Sequence, residues 1–97
     1  MNFEWDEDKN QSNIAKHGFD FNDAGSIFDF PMLVDIDQRQ VYGEERWVGI
    51  GLLGDTLVVI VYTEPADDVI RVISLRKALK HERKYYEEYL ADELGSN

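Results

Sequence analysis

WVGIGLLGDTLVVIVYTEPADDVIRVISLRKA, residues 47–78, decides the fold. Trp47 to Leu53 reads as a strand. Gly54-Asp55 is a two-residue hairpin signal of the glycine-first kind, because a tight hairpin needs a positive φ that glycine adopts without strain. Leu57 to Thr63 is apolar throughout, as a central strand is. Pro65 to Asp68 reads as a turn, and Val69 to Leu75 as the last strand. Strands joined by links this short must run antiparallel, since a parallel pair needs a long crossover.

The rest of the chain dresses that sheet. Phe3 to Trp5 is a short apolar strand. A helix follows from about Asp6 to His17, with Asp6, Glu7 and Asp8 at its start, Lys16 and His17 at its end, and Gly18 beyond as a stop. A second short helix is expected from Asp20 to Phe28, with Phe21, Ala24 and Phe28 on one face. Pro31 closes that region. Met32 to Asp37 reads as a strand and Gln38 to Glu45 as a polar loop. From about Arg76 to Glu93 the pattern turns helical, with Leu79, Tyr86, Tyr89 and Leu90 on one face. The expected architecture is a small α+β single domain over residues 1–97, an antiparallel β-sheet packed with two N-terminal helices and a C-terminal helix. Residues 94–97 are expected to be a frayed tail.

Composition narrows the class. Ninety-seven residues make one domain with one modest core. The absence of cysteine removes disulfides and thiolate metal sites and fits a reducing, cytoplasmic setting. The acidic start MNFEWDEDK is not a signal peptide. The longest apolar run, Leu57 to Tyr62, is far too short to span a membrane.

The net charge is -10, which opposes general polyanion binding. Yet six of the ten Lys and Arg residues fall between Arg71 and Lys84, with Glu82 the one acid among them. That window carries +5 and leaves -15 for the remainder. On a helix beginning near Arg76, cations would fill the first turns and Glu87, Glu88, Asp92 and Glu93 the last. This opposes the helix dipole. An anion site explains the layout better than stability does, because helix N-terminal amides attract phosphate and Arg76 and Lys77 would reinforce them. Arg76, Lys80 and Arg83 would form one stripe at i, i+4, i+7, with Lys77 and Lys84 beside it. Three readings stay open: RNA phosphate, carboxylates of a partner protein, or a solvated face balancing the acidic remainder.

In the first helix, Lys9, Asn13 and His17 repeat at i, i+4, i+8 as a polar stripe opposite Ile14. His17 is the better placed of the two histidines for acid–base work, or else a helix-end cation. Ser74 is expected to cap the C-terminal helix, and strand alternation sets Arg71 with Ile73 and Leu75, away from Ser74. No ligand cluster suggests a metal site, and no cofactor motif is present.

WDEDKNQSNIAKHGFDFNDA near the start, VVIVYTE in the centre, and IRVISLRKA with a following Glu-Arg and Tyr together resemble the BrnT family of type II toxin–antitoxin toxins. The blocks stand in family order across residues 5 to 86. The resemblance implies a fold like that of the RelE-type ribonuclease toxins, RNA cleavage that arrests growth, and neutralisation by a BrnA-like antitoxin of the ribbon-helix-helix kind. It implies operator DNA bound only through the antitoxin, and it suits a homodimer or a heterotetramer with it. Two features depart from the family: Pro65 stands where an arginine is common, and the chain is acidic.

Metal-free RNA cleavage needs a base for the 2′-hydroxyl, positive charge on the phosphate, and an acid for the leaving oxygen. The candidates are Glu64 or His17 as base, Arg71, Arg76 and Arg83 as charge, and Tyr86 as acid or stacking surface. Lys9, Arg76, Lys77, Lys80, Arg83 and Lys84 are candidate RNA contacts. The rival reading is a catalytically inert relative that docks an antitoxin or another protein.

Overall fold

The computed structural model describes residues 1–37 and 44–95. Most of the expected polar loop and the last two tail residues lie outside the described residues. The elements are β1 (Asn2–Glu4), α1 (Glu7–His17), a 3-10 helix (Phe21–Asp29), β2 (Leu33–Ile36), β3 (Trp47–Leu53), β4 (Thr56–Ala66), β5 (Val69–Lys77) and α2 (Lys80–Glu93). The strands form one sheet in the order β1-β5-β4-β3-β2.

The run from β2 to β5 is antiparallel, as expected. Leu53 pairs with Thr56 across the two-residue Gly54-Asp55 turn, where Gly54 takes φ +63°. β1 is different. It lies parallel to β5, with Phe3 opposite Ile70, and makes the sheet mixed. The chain between them, through α1, the 3-10 helix and three strands, provides the long crossover a parallel pair requires.

Two boundaries move. Pro65 is not in a turn: β4 runs on to Ala66, and the turn is only Asp67-Asp68, with Asp68 at φ +61°. Pro65 is tolerated because the register shifts between Thr63 and Ala66, giving β4 one extra residue there. β5 likewise runs past Leu75 to Lys77, pairing Arg76 with Val59 and Lys77 with Val58. The C-terminal helix therefore starts at Lys80, four residues later than the pattern predicts.

The second helix is a 3-10 helix. It buries Phe21, Ala24 and Ile27 rather than Phe28. That spacing of three is the period of a 3-10 helix, whose side chains eclipse every third residue. Asp20 caps it, its carboxylate accepting from the Asn22 amide at 2.9 Å.

The sheet buries apolar residues on both faces. On one face Val58, Ile60, Tyr62, Ile70, Val72 and Leu75 meet the 3-10 helix. On the other, Ile50, Val59 and Ala78 meet Tyr86 of α2. Between Trp47 and Leu53, Gly49 and Gly51 keep the middle of β3 bare on the first face. A Cβ on Gly51 would stand 2.9 Å from Ile27 Cγ2 and 3.0 Å from Met32 Cγ.

Candidate functional site

A second register shift shapes the site. Val61 pairs with Ser74 but Tyr62 with Val72, so Ile73 is an extra residue in β5. Such a bulge resets the alternation of side chains. Arg71, Ser74 and Arg76 stand opposite Thr63, Val61 and Val59, alternate residues of β4, and so share one face. This corrects the expectation that Arg71 and Ser74 part company. Ser74 lies within β5 and caps no helix.

Beyond Arg71 the outer edge of β5 has no strand beside it among the described residues, because β1 is three residues long. α1 takes that place. The Asn13 amide donates to Leu75 O at 2.8 Å and accepts from Leu75 N–H at 3.1 Å. It also donates to Phe19 O at 3.0 Å. Asn10, 1% exposed, accepts from Phe21 N–H and donates to Asp20. The expected stripe of Lys9, Asn13 and His17 is thus divided: Lys9 is exposed, His17 half-buried, and Asn13 buried as a structural anchor.

The helix N-terminus read as an anion site already holds an anion. Leu79 precedes the first turn of α2, and its amide donates to Glu82 Oε1 at 2.8 Å. The same carboxylate receives both Arg76 terminal nitrogens, Nη1 at 2.8 Å and Nη2 at 2.7 Å. Such a two-pronged pair fixes the guanidinium plane. Arg76 holds the Glu82 carboxyl below the usual glutamate range, and the Leu79 amide adds to this. The residue read as an interruption of the basic run is therefore its organiser. Leu79, expected on the apolar face, is exposed.

The cations do not form one stripe. Lys77 and Arg83 line a cleft of about 350 Å³ with Asp55 and Thr56 of the β3–β4 hairpin. Arg76 lines a different groove on the sheet face with Asp35, Asp37, Val61, Ser74 and Glu82. Lys9, Lys16 and His17 line a third together with Asp6 and Asp8, between α1 and β5, closed by Ile73 and Ser74. Ser74 lines both of the last two. Lys80 and Lys84 lie exposed on α2.

Three candidates stand apart. Arg71 pairs with Glu4 across the β1–β5 ladder, its Nε donating at 2.7 Å. Tyr86 is 2% exposed, and its hydroxyl donates to Pro31 O at 2.8 Å, so it serves the core. Burial pushes its phenol pKa up, and Tyr89 pushes the same way. Glu64 sits at the β4 bulge, beside Glu44, Glu45, Trp47 and Thr63, away from His17 and Arg76. Sequence reasoning missed Lys16, Ser74 and Glu82 as parts of the site. A glutamate three residues after a helix start is the one available signal for Glu82.

Among the described residues no three His, Asp or Glu side chains converge as metal ligands. No helix among them is long and apolar enough to cross a membrane.

Residues 5–82 match the family model described as the ribonuclease toxin BrnT of type II toxin–antitoxin systems. The fold is similar to the 1.1 Å crystal structure of the Brucella abortus ribonuclease toxin BrnT. The TM-score is 0.63 at 30% sequence identity, over 82% of this chain and 99% of that one. No protein of curated function matches the chain.

Proposed function

The chain belongs to the BrnT family of ribonuclease toxins of type II toxin–antitoxin systems, and we propose that it cleaves RNA, without a metal, where α1, β5 and α2 meet. The observation that carries this reading is Ser74, which lines both the His17 groove and the Arg76 groove. A base and a fixed positive charge then flank one stretch of β5. His17 takes the 2′-hydroxyl proton as that oxygen bonds to phosphorus, and Arg76, held flat by Glu82, neutralises the phosphate as charge builds on it. The P–O5′ bond breaks with the leaving 5′-oxygen taking a proton from water, so that a 2′,3′-cyclic phosphate remains.

Lys9 and Lys16 extend the phosphate path on the α1 side. Lys77 and Arg83, with Lys80 and Lys84 on α2, extend it on the other. A strongly acidic chain can still hold RNA this way, because screening confines each charge to about 10 Å. Glu64, Arg71 and Tyr86 take no part in this step.

A type II toxin has an antitoxin partner. Our reading is that this partner is BrnA-like, of the ribbon-helix-helix type, that it alone carries the contact with operator DNA, and that the pair assembles in the cytoplasm as a heterotetramer.

The test is cleavage of a defined RNA by the purified chain in a chelator, beside His17→Gln and Arg76→Lys. Cleavage by the wild type, lost in both variants, is the expected result. Unchanged cleavage by His17→Gln removes this site, and cleavage that requires added metal removes the mechanism.

A further inference from the structure

The open end of the β3–β4 ladder, where β4 runs on past the start of β3, carries a cleft of about 390 Å³ that the proposed cleavage site does not use. Glu44, Glu45 and Glu64 bring three negative charges to it, and Trp47 and Thr63 complete its lining. Thr63 is 1% exposed, and its hydroxyl oxygen is buried without a hydrogen-bond partner among the described residues. Buried hydroxyls are almost always satisfied, so an unsatisfied one in a cleft wall marks where a donor or acceptor belongs. Glu64 reaches this place through the β4 bulge that accommodates Pro65.

We propose that this cleft receives an arginine side chain of the antitoxin. The inference rests on the family reading only in naming the partner. A guanidinium offers five N–H donors in a plane, which three carboxylates and a hydroxyl can share, and its face stacks on an indole such as Trp47. A compact metal ion fits less well, since these carboxylates do not converge as a ligand set. RNA fits less well too: a base could stack on Trp47, but its phosphates would approach three negative charges with no cation among the described lining residues. The neighbouring Arg46 has partners of its own and does not line the cleft. The charge of the cleft also reaches the core, where burial and then Glu64 push the Tyr62 hydroxyl pKa up.

Two measurements test this. In the first, the free chain is titrated with N-acetyl-arginine amide and followed by the Trp47 indole and Thr63 amide NMR signals. N-acetyl-citrulline amide, neutral and nearly isosteric, and guanosine are the controls. Saturable shifts with the arginine amide alone are expected, weakened about ten-fold in Glu44→Gln/Glu45→Gln and in Thr63→Val. Equal shifts with citrulline, binding of guanosine instead, or unchanged affinity in both variants overturns the proposal.

In the second, the antitoxin is titrated into the wild type and both variants. A loss of about ten-fold or more in affinity is expected. Equal affinity overturns the arginine site and leaves the toxin–antitoxin reading standing. No binding to the wild type overturns both. Neither measurement involves RNA, so neither depends on the cleavage mechanism.

Discussion

The Asn13 carboxamide is hydrogen-bonded to both backbone groups of Leu75, donating at 2.8 Å and accepting at 3.1 Å. A side chain on a helix thus occupies the place of a neighbouring strand. The outer edge of β5 would otherwise present unpaired backbone groups beside a buried core, which costs free energy. The same bond sets α1 against Ser74 and so fixes where His17 lies relative to Arg76.

Replacing Asn13 by alanine removes both bonds and strands the Leu75 groups. The expected loss is about 1–3 kcal/mol, the cost of burying unsatisfied polar groups. For a domain of this size that lowers the melting temperature by several degrees. Asn13→Asp keeps the shape but sets a carboxylate against Leu75 O, so it should destabilise at least as much near neutral pH. Thermal unfolding of both variants checks this, and an unaltered melting temperature in Asn13→Ala would mean α1 does not close that edge.

Glu82 gives a pH-dependent prediction. Its folded pKa is lowered, first by Arg76 and then by the Leu79 amide. A lowered pKa contributes stability that is fully present above the ordinary glutamate value and lost as pH falls through the folded value. Glu82→Gln should therefore be less stable than the wild type near neutral pH by about 1–2 kcal/mol, because it leaves Arg76 without its carboxylate. The gap should narrow below about pH 4 as the wild-type carboxylate protonates. Urea midpoints of both proteins from pH 3 to 7 measure it, and a gap independent of pH would show that the pair is not the cause.

These residues also show what the sequence made legible. The central strands were readable because Leu57 to Thr63 is apolar throughout and Gly54-Asp55 is specific hairpin chemistry. The end of β5 was not. Arg76, Lys77 and Ala78 favour helix locally, but pairing with Val58 and Val59 overrides that preference. Helical spacing sets Asn13 in a polar stripe with Lys9 and His17, and its burial stays hidden because a buried, fully bonded asparagine and an exposed one look alike in sequence. The two register shifts were equally hidden. One extra residue at Ile73 decides which face Arg71 shares, and no local composition announces it.

The two glycines of β3 should differ. A Cβ at Gly51 meets Ile27 Cγ2 at 2.9 Å, a branched methyl of a wholly buried side chain that has nowhere to move. A Cβ at Gly49 meets Met32 Cε at 2.5 Å, nearer still, but that atom is the far end of a flexible chain. Gly51→Ala should cost about 1–3 kcal/mol through overpacking, and Gly49→Ala clearly less. Denaturant midpoints of the pair decide it. The reverse order would show that distance alone, not the stiffness of the neighbour, sets the cost.

Thr63→Val tests the unsatisfied hydroxyl in the free chain. Replacing a buried hydroxyl that has no partner with a methyl removes a desolvation penalty. The variant should equal or exceed the wild type in stability, by up to about 1 kcal/mol. Most buried substitutions destabilise, so the direction is informative. A clear loss in melting temperature would mean that the hydroxyl is satisfied in solution.

Tyr86 separates a core role from a chemical one. Its ring packs with Ile50, Val59 and Ala78, and its hydroxyl donates to Pro31 O at 2.8 Å. Tyr86→Phe keeps the ring and deletes only that bond, so the expected loss is about 1 kcal/mol. Pro31 precedes β2, and the bond ties α2 to the start of that strand across the sheet. RNA cleavage per folded molecule should be unchanged, because the hydroxyl is already committed to a backbone carbonyl. Cleavage rate and melting temperature measured on the same preparation decide between the roles. A variant with wild-type stability and abolished cleavage would return Tyr86 to the active site as its proton donor, and would require the hydroxyl to leave Pro31 when RNA binds.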